Sequence, residues 1–452
     1  MPHAQWQEEI LKRGELYYVG GSVRDRLLGL EEPAPDTDYL VRKLPPDELE
    51  EMLSSFGSVH LVGKAFGVYK FTPRKETQSF DIAYPRKEAS TGPGHRDFKV
   101  DWDWDLPVEA DLGRRDFTIN AIAQSVRDGT LVDPLGGAKD ILQRRLRMVF
   151  PQAFEEDPLR ILRGARFAAR FSLVVENRTI EAMRASARLM GTLSQERVQE
   201  EFTKLLTQCD APSVGLTLMH EIGVLNVVFP ELDRGAGVIQ NEYHPDDVFV
   251  HSLKSCDCAP RQNLAVRWAA LLHDLGKVDK KMTIEEEGEA PRVVFYGHEV
   301  ESAAITQHVL RRLRYSNAFV EKCQKLVRYH MFDYQPEWSQ AAIRRLIRRV
   351  GEENMDDMFL LREADCRSRD ADEGIAILGE LKARVNDELS KGRAFKLADL
   401  AIGGADVMEA LGLPEGPEVG KVLDALLEAV IEDPALNTRE KLIDLARKGL
   451  AK

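Results

Sequence analysis

The apolar periodicity of this chain changes near residue 150, and that change limits its folds more than any other feature. Before it, "LYYVGG", "TDYLVRKL", "GVYKFTP" and "SFDIAY" are short β-type runs bounded by Gly, Pro or Asp. "SVRDRLLGL" and "PPDELEEMLSSFG" read as helices, and "INAIAQSV" with "TLVDP" reads as a further strand region broken by the "RDGT" turn. From "DPLRILRGARFAARF" onward, apolar residues recur at helical spacing almost to the end. The expectation is an α+β fold, with a mixed-sheet head over 1–145 and an all-helical remainder. Proline and glycine clusters near 230–245, 284–297 and 403–417 are candidate joints, and the expected division of that remainder is a neck (146–235), a helical domain (236–370) and a tail (371–452).

Composition narrows the class. Net charge is −13, so no global basic field advertises nucleic acid. Contact with RNA must come from local clusters: "QRRLRM" (143–148), "LRILRGARFAAR" (159–170), "RRLRY" (311–315) and "IRRLIRRV" (343–350). Taken singly, each is the wet face of an amphipathic helix; together they could form a track for an RNA backbone. The five cysteines are scattered and lack zinc-ligand spacing, which fits a reducing compartment. The start has no apolar signal core, and no run approaches the roughly 18 apolar residues of a membrane span. A cytoplasmic protein without membrane contact is expected.

In "APDTDYLV", Asp36 and Asp38 stand at i and i+2 of an extended segment and so project to one side. Asp81 in "SFDIAY" lies in a second β-type run and could reach the same edge. Three carboxylates on neighbouring strands are what a Mg²⁺ site for nucleotidyl transfer needs. Upstream, Gly20 and Gly21 allow close approach to phosphates, and Ser22, with the helix start that carries Arg24, offers donors. Each signal alone is the turn before a strand. In "RRDFTINA", Arg114 and Arg115 supply positive charge, while Asp116 and Asn120 can bind a ribose hydroxyl or fix the arginines. The bland alternative is that Asp116 caps a helix beginning at Thr118.

"YYVGGSVRDRLLG", "DTDYLV", "GKAFGVYKF", "FDIAYPRKE", "RRDFTINAIA", "LVDPLGGAKDI" and "EDPLRILRGARFAARF" follow one another in order over about residues 16–235. Together they resemble the bacterial class II tRNA nucleotidyltransferases, the CCA-adding branch of the poly(A) polymerase family. The resemblance implies a template-independent enzyme that builds the tRNA 3′ end from CTP and ATP. It puts metal carboxylates at Asp36 and Asp38 and a nucleobase-reading motif at Glu156, Asp157 and Arg160, with Arg163 beside it. On a helix, i and i+3 lie on one face, so Asp157 and Arg160 are expected to project together and to serve as an amino-acid template. Cytosine and adenine both present an amino donor beside a ring-nitrogen acceptor, which a carboxylate and a guanidinium complement. Guanine and uracil reverse that pattern. The opposing reading is a surface ion pair worth a few tenths of a kcal/mol. Residues 86–112 read as a long mobile loop, which in the family is retained by enzymes that add A. An A-adding enzyme and a poly(A) polymerase remain as alternatives.

The helical half supplies His251, the doublet His273–Asp274, and Asp365 in "READCRSRD". This order resembles the HD-domain phosphohydrolases and implies a divalent metal on those four residues. Imidazoles and carboxylates together suit such an ion. His298 and His330 could be further ligands or phosphate contacts, and Lys277 could face a phosphate. His220 and His244 are assigned to structure. The resemblance implies a second active site that removes phosphates from RNA 3′ ends. A third reading keeps only that hydrolase and uses the head to bind RNA.

Overall fold

The computed structural model describes residues 4–30, 37–62, 67–90, 98–240, 245–285, 292–332 and 334–449. It forms two compact units, 1–230 and 231–452. In the first, a seven-stranded sheet runs in the order Gly57–Leu61, Val68–Pro73, Phe80–Ala83, Asp38–Arg42, Glu15–Val19, Ala123–Ser125, Leu131–Val132. Asp38–Arg42 and Phe80–Ala83 pair in parallel, and the other neighbours are antiparallel. Strand alternation sorts the side chains. Tyr39, Val41 and Ile82 join a core with Trp6, Ile10, Leu49 and Leu53 from the helices Gln5–Arg13 and Pro46–Phe56. Leu40 joins the opposite cluster with Val19, Val108 and Leu112, against which Ala83 packs.

Residues 86–112 are more ordered than a mobile loop. Arg86–Ser90 and Phe98–Trp102 form an antiparallel hairpin, and Val108–Leu112 is helical. The Trp102 ring stacks on Tyr84 at 5.5 Å, which ties the hairpin to the sheet core. The tip, 91–97, lies outside the described residues. The helices Leu159–Phe171, Gln195–Gln208 and Pro212–Glu221 follow and pack together.

In the second unit, the helices Val248–Cys258, Leu264–Leu272, His298–Arg312, Asn317–Arg328 and Met355–Ser368 pack around buried Trp268 and Leu271. Residues 394–446 add a separate apolar cluster that includes Val407, Leu426, Val430 and Leu442. This is what the tail does in the fold. Arg344 is buried against Glu388, and Arg345 and Arg348 pair with Asp424, Glu428 and Glu432 on the helix Pro417–Glu432.

The cluster at 343–350 is therefore committed to protein carboxylates, which removes most of it from the expected RNA track. Arg145 and Arg147 are likewise held by Asp140, and Arg166 by Glu201. All five cysteines are free thiols, and no described helix is long and apolar enough to cross a membrane.

Candidate functional site

Asp38 and Asp81 are register partners on the two parallel strands. Each stands two residues before a side chain of the same cluster, Leu40 and Ala83. Alternation therefore directs both carboxylates to one face of the sheet, and both residues are exposed. Asp36 lies outside the described residues. A donor set of carboxylate oxygens fits a hard ion such as Mg²⁺.

Beside this face, Gly20 has φ +68°, and a Cβ there would lie 2.5 Å from Nη1 of Arg115. Only glycine admits both the backbone conformation and the guanidinium. Ser22 donates to the Val19 carbonyl at 3.2 Å. Arg24 is buried. It donates to Asn120 Oδ1 at 2.6 Å and Asp25 at 2.7 Å and lies over the Phe171 ring at 4.5 Å. It supports the turn from beneath and is not displayed on its surface.

Arg114 and Arg115 converge on Asp111, which is fully buried. Burial pushes the Asp111 carboxyl up, and Arg115 and Arg114 outweigh it, leaving the group below the usual carboxylate range. Asp111 escaped the sequence reading, although its signal is there: a carboxylate three and four residues before an arginine pair. Asp116 caps no helix. Its carboxylate accepts from the Phe117 N–H, from Asn120 Nδ2 at 2.9 Å and from Arg163 Nε at 2.8 Å. Burial raises its pKa, but Arg163 and these hydrogen bonds prevail and hold it at about 2. Asp116 thus fixes Arg163 and, through Asn120, Arg24.

Asp157 and Arg160 do not share a helix face. Asp157 is the extended residue that ends the helix Ala153–Glu156, and Pro158 follows it before the helix Leu159–Phe171. Proline disfavours helical backbone at the residue before it, and this breaks the run. The two side chains are held separately. Arg197 Nη2 donates to Asp157 Oδ2 at 2.9 Å and Oδ1 at 3.1 Å. Arg160 donates to the carbonyls of Arg114 at 3.1 Å and Ala153 at 3.4 Å. The surface-pair alternative is therefore not what forms. Arg197, from a different helix, could not be found by local spacing.

In the second unit, His251, His273, Asp274, His298, His330 and Asp365 are all buried and converge. His251 Nε2 and His273 Nε2 lie 3.2 Å apart, and His251 Nε2 is 3.2 Å from Asp274 and 3.4 Å from Asp365. Main-chain carbonyls set the ring tautomers. Nδ1 of His273 donates to Ala270 and Nδ1 of His330 to Val327, turning the other nitrogen toward the centre. Burial lowers the His330 pKa to about 4, against the pull of Asp274, so its ring is neutral near pH 7. Burial lowers and the two carboxylates raise His251, with a net rise. Burial opposes ionisation of Asp274 and Asp365 as well, but the surrounding cations and hydrogen bonds hold both well below the usual range.

His251 Nδ1 lies 3.3 Å from Ser368 Oγ, whose own proton goes to the Asp365 carbonyl; with Nδ1 donating there, the two Nε2 atoms that face each other at 3.2 Å have no proton between them, and a cation fits. Nitrogen and oxygen donors together suit a borderline divalent ion. A cavity of about 550 Å³ opens on this cluster, lined by His273, Asp274, Lys277, Arg362, Asp365 and Arg369 among others. Lys277 donates to Asp274 at 2.6 Å and to Gln240 at 2.7 Å. Arg362 and Arg369 sit at i−3 and i+4 of Asp365 and bind its Oδ2; sequence reading did not single them out. His244 lies outside the described residues, and His220 is half-buried in the helix Pro212–Glu221.

Comparison with known proteins bears on both halves. Residues 16–147 match the family model "Poly A polymerase head domain", 173–235 "Probable RNA and SrmB- binding site of polymerase A", and 282–446 "tRNA nucleotidyltransferase domain 2". The Multifunctional CCA protein of Nitrosococcus oceani is 37% identical over 78% of this chain and 85% of its own length. That of Xanthomonas campestris is 36% identical over 92% and 98%. Among solved structures, the Bacillus stearothermophilus CCA-adding enzyme in complex with CTP has a TM-score of 0.69 at 24% identity, covering 98% of this chain and 96% of that one. The Thermotoga maritima CCA-adding enzyme complexed with tRNA shares the fold at TM-score 0.57 and 20% identity, covering 99% and 93%.

Proposed function

This chain belongs to the family of the multifunctional CCA proteins, and from that premise we propose that its first unit completes tRNA 3′ ends by adding C, C and A from CTP and ATP. The observation that carries the reading is the separate anchoring of Asp157 and Arg160. Neither is spent on the other: Asp157 Oδ2, which accepts from Arg197 at 2.9 Å, keeps a second lone pair for an amino group, and the Arg160 guanidinium has N–H donors beyond its two carbonyl bonds. Asp157 accepts the amino group of cytosine or adenine, and Arg160 donates to the ring nitrogen. Guanine and uracil would set carbonyl against carboxylate and N–H against guanidinium. Base contacts of this bidentate kind discriminate by about 1–3 kcal/mol in duplex DNA, a scale that applies here by analogy.

Asp36, Asp38 and Asp81 would hold Mg²⁺, which supplies positive charge beside the triphosphate. Arg114 and Arg115, pinned by Asp111, bring cations to the glycine turn at Gly20 and Gly21. Asp116 orients Arg163, and Asn120 carries that order to Arg24 beneath the turn. The test offers tRNAs ending before CCA, before the final A, or complete, with CTP and ATP supplied singly and together. Incorporation in the order C, C, A supports the reading. Addition of A alone, onto tRNA already ending in CC, replaces it with an A-adding enzyme.

The second unit carries a separate reading, favoured by the convergence of His251, His273, Asp274 and Asp365 on one point. It is a metal-dependent phosphohydrolase. The four residues would hold a divalent ion that supplies Lewis acidity at a phosphoester. Lys277, Arg362 and Arg369 line the cavity and provide the charge that attracts a phosphate. Water attacks phosphorus, the P–O bond to the ribose oxygen breaks, and that oxygen leaves as a hydroxyl. Release of inorganic phosphate from a 2′- or 3′-phosphorylated RNA end, with and without chelator, tests it. Absence of metal-dependent release excludes it.

A further inference from the structure

We infer that the cavity of the second unit carries a nucleobase platform at its mouth, formed by Tyr296 together with Met331, so that this unit prefers a phosphate borne by a nucleoside over one without a base. The inference rests on the phosphohydrolase reading and adds the residues that select its substrate. The cavity lining has two chemistries. Lys277, Arg362 and Arg369 contribute cations, while Val293, Val294, Tyr296 and Met331 contribute an apolar portion. Tyr296 and Met331 are 63% and 57% exposed. Large side chains that line a cavity and also face water stand at its mouth. The volume of about 550 Å³ is that of a small-molecule site, and a phosphate fills only part of it.

The backbone holds Tyr296 in place. The His298 amide donates to the Phe295 carbonyl at 3.1 Å and closes a β-turn over 295–298. Gly297, its third residue, has φ +76° and ψ 13°, the values of a type II turn. A Cβ at Gly297 would meet no atom within 4 Å, so glycine serves the backbone conformation there and not a close approach. His298 Nδ1 donates to the same carbonyl at 2.9 Å and ties the turn to the buried cluster. Phe295 is buried, and Tyr296 is left at the outer corner. Its ring is positioned before a ligand arrives, with two side-chain torsions to fix. Met331 directly follows His330, and the rings of His298 and His330 lie 5.4 Å apart, which brings the two segments together.

A single exposed apolar residue is ordinary on a protein surface. Here an aromatic face, a polarisable thioether and three cations share one cavity. The ligand that satisfies both portions is anionic at one end and flat and apolar at the other, and a nucleotide has that form. Every base offers a π-face to an aromatic ring, so stacking holds the base without reading its edge. Tyr296 therefore ranks substrates by stacking area: an adenosine ester before a uridine ester, and both before an ester without a base.

The experiment measures inorganic phosphate released by the full chain, in Mn²⁺, from adenosine 2′-phosphate, uridine 2′-phosphate and glycerol 2-phosphate, a secondary ester with no base. The parent should show its lowest KM for the adenosine ester and its highest for the glycerol ester. Y296A should raise the adenosine KM by about 10- to 100-fold, the loss of one stacked base, with kcat little changed and the glycerol ester unaffected. Y296F keeps the ring and should behave as the parent. M331A should raise the adenosine KM by about 3-fold.

Equal KM values for the three esters in the parent, or an unchanged adenosine KM in Y296A, overturn the platform and leave the hydrolase reading standing. A loss in Y296A that is as large for the glycerol ester as for the adenosine ester also overturns it, because Tyr296 would then hold the turn and no base. No release by the parent from these esters or from a phosphorylated RNA end overturns both readings.

Discussion

Arg197 reaches across from the helix Gln195–Gln208 to place one nitrogen, Nη2, on both carboxylate oxygens of Asp157, at 2.9 and 3.1 Å. Without it, the Leu159 amide still holds Oδ1 at 3.2 Å, but Oδ2 loses its anchor and can turn toward Arg160, which neutralises the pair that reads the base. R197M should lower kcat/KM for CTP and for ATP by about 10- to 100-fold, the range expected for losing a base-reading contact. The loss should fall on the nucleotide KM. R197K should recover part of it, and phosphate release by the second unit should not change. Unaltered nucleotide kinetics in R197M would show that the contact is incidental.

Asp116 gives the first unit a defined acid response. Its folded pKa is about 2, held down against burial by Arg163, Asn120 and the Phe117 amide. An unfolded aspartate titrates near 3.9. A depressed carboxylate contributes stability that is complete above the unfolded value and is lost as pH falls through the folded one. The whole contribution is about 3 kcal/mol, of which about 1 kcal/mol disappears between pH 5 and pH 3. Urea unfolding of D116N and the parent should therefore converge by about that amount over this interval. Parallel stability curves across the interval would mean that Asp116 is not the depressed group.

What was legible follows from range. Alternation along "DTDYLV" and "SFDIAY" places Asp38 and Asp81 on one face because strand period is local, and the pairing register then brings them side by side. The order of His251, His273–Asp274 and Asp365 was also visible, because their elements are helices whose spacing is local. Asp111 was readable from its offset to Arg114 and Arg115 and was passed over. Arg197 was not readable: its partner lies 40 residues away and only tertiary packing joins them. The helical placement of Asp157 failed for a local reason, since Pro158 ends the run and the apolar pattern on either side hid the break. The hairpin at 86–102 was hidden by its mixed charge. Its order comes from Trp102 on Tyr84, a contact between one residue of the segment and the sheet core.

The two units should lose activity independently. D38N and D81N each remove a carboxylate from the same sheet face and should reduce CTP and ATP addition by at least ~100-fold, with phosphate release unchanged. H273A should do the reverse. D81N is the informative member, because Asp81 enters through strand register and not through a family motif. Full addition by D81N would leave two carboxylates in the head site, not three. Loss of both activities in a folded D38N or H273A chain would mean that the two sites are coupled.

Gly276, in "HDLGK", joins the segment of Asp274 mechanically to the helix that begins at His298. A Cβ at this position would lie 2.3 Å from the His298 carbonyl oxygen and 2.6 Å from the Ser302 nitrogen, both main-chain atoms that cannot rotate away. The Gly276 amide also donates to Ser302 Oγ at 2.8 Å. The segment carrying Asp274 is thereby pressed against the first turn of the helix His298–Arg312, which fixes the distance between Asp274 Oδ1 and His298. G276A must push that turn away, at a cost of about 1–3 kcal/mol for overpacking. The expected result is a chain with a lower melting temperature and phosphate release reduced by at least ~10-fold, because His298 is displaced from the Asp274 carboxylate, 3.3 Å from its Nε2. Nucleotide addition, measured on the same preparation, should be retained. If phosphate release survives while the melting temperature falls, the close approach serves packing alone and the position of His298 does not govern hydrolysis.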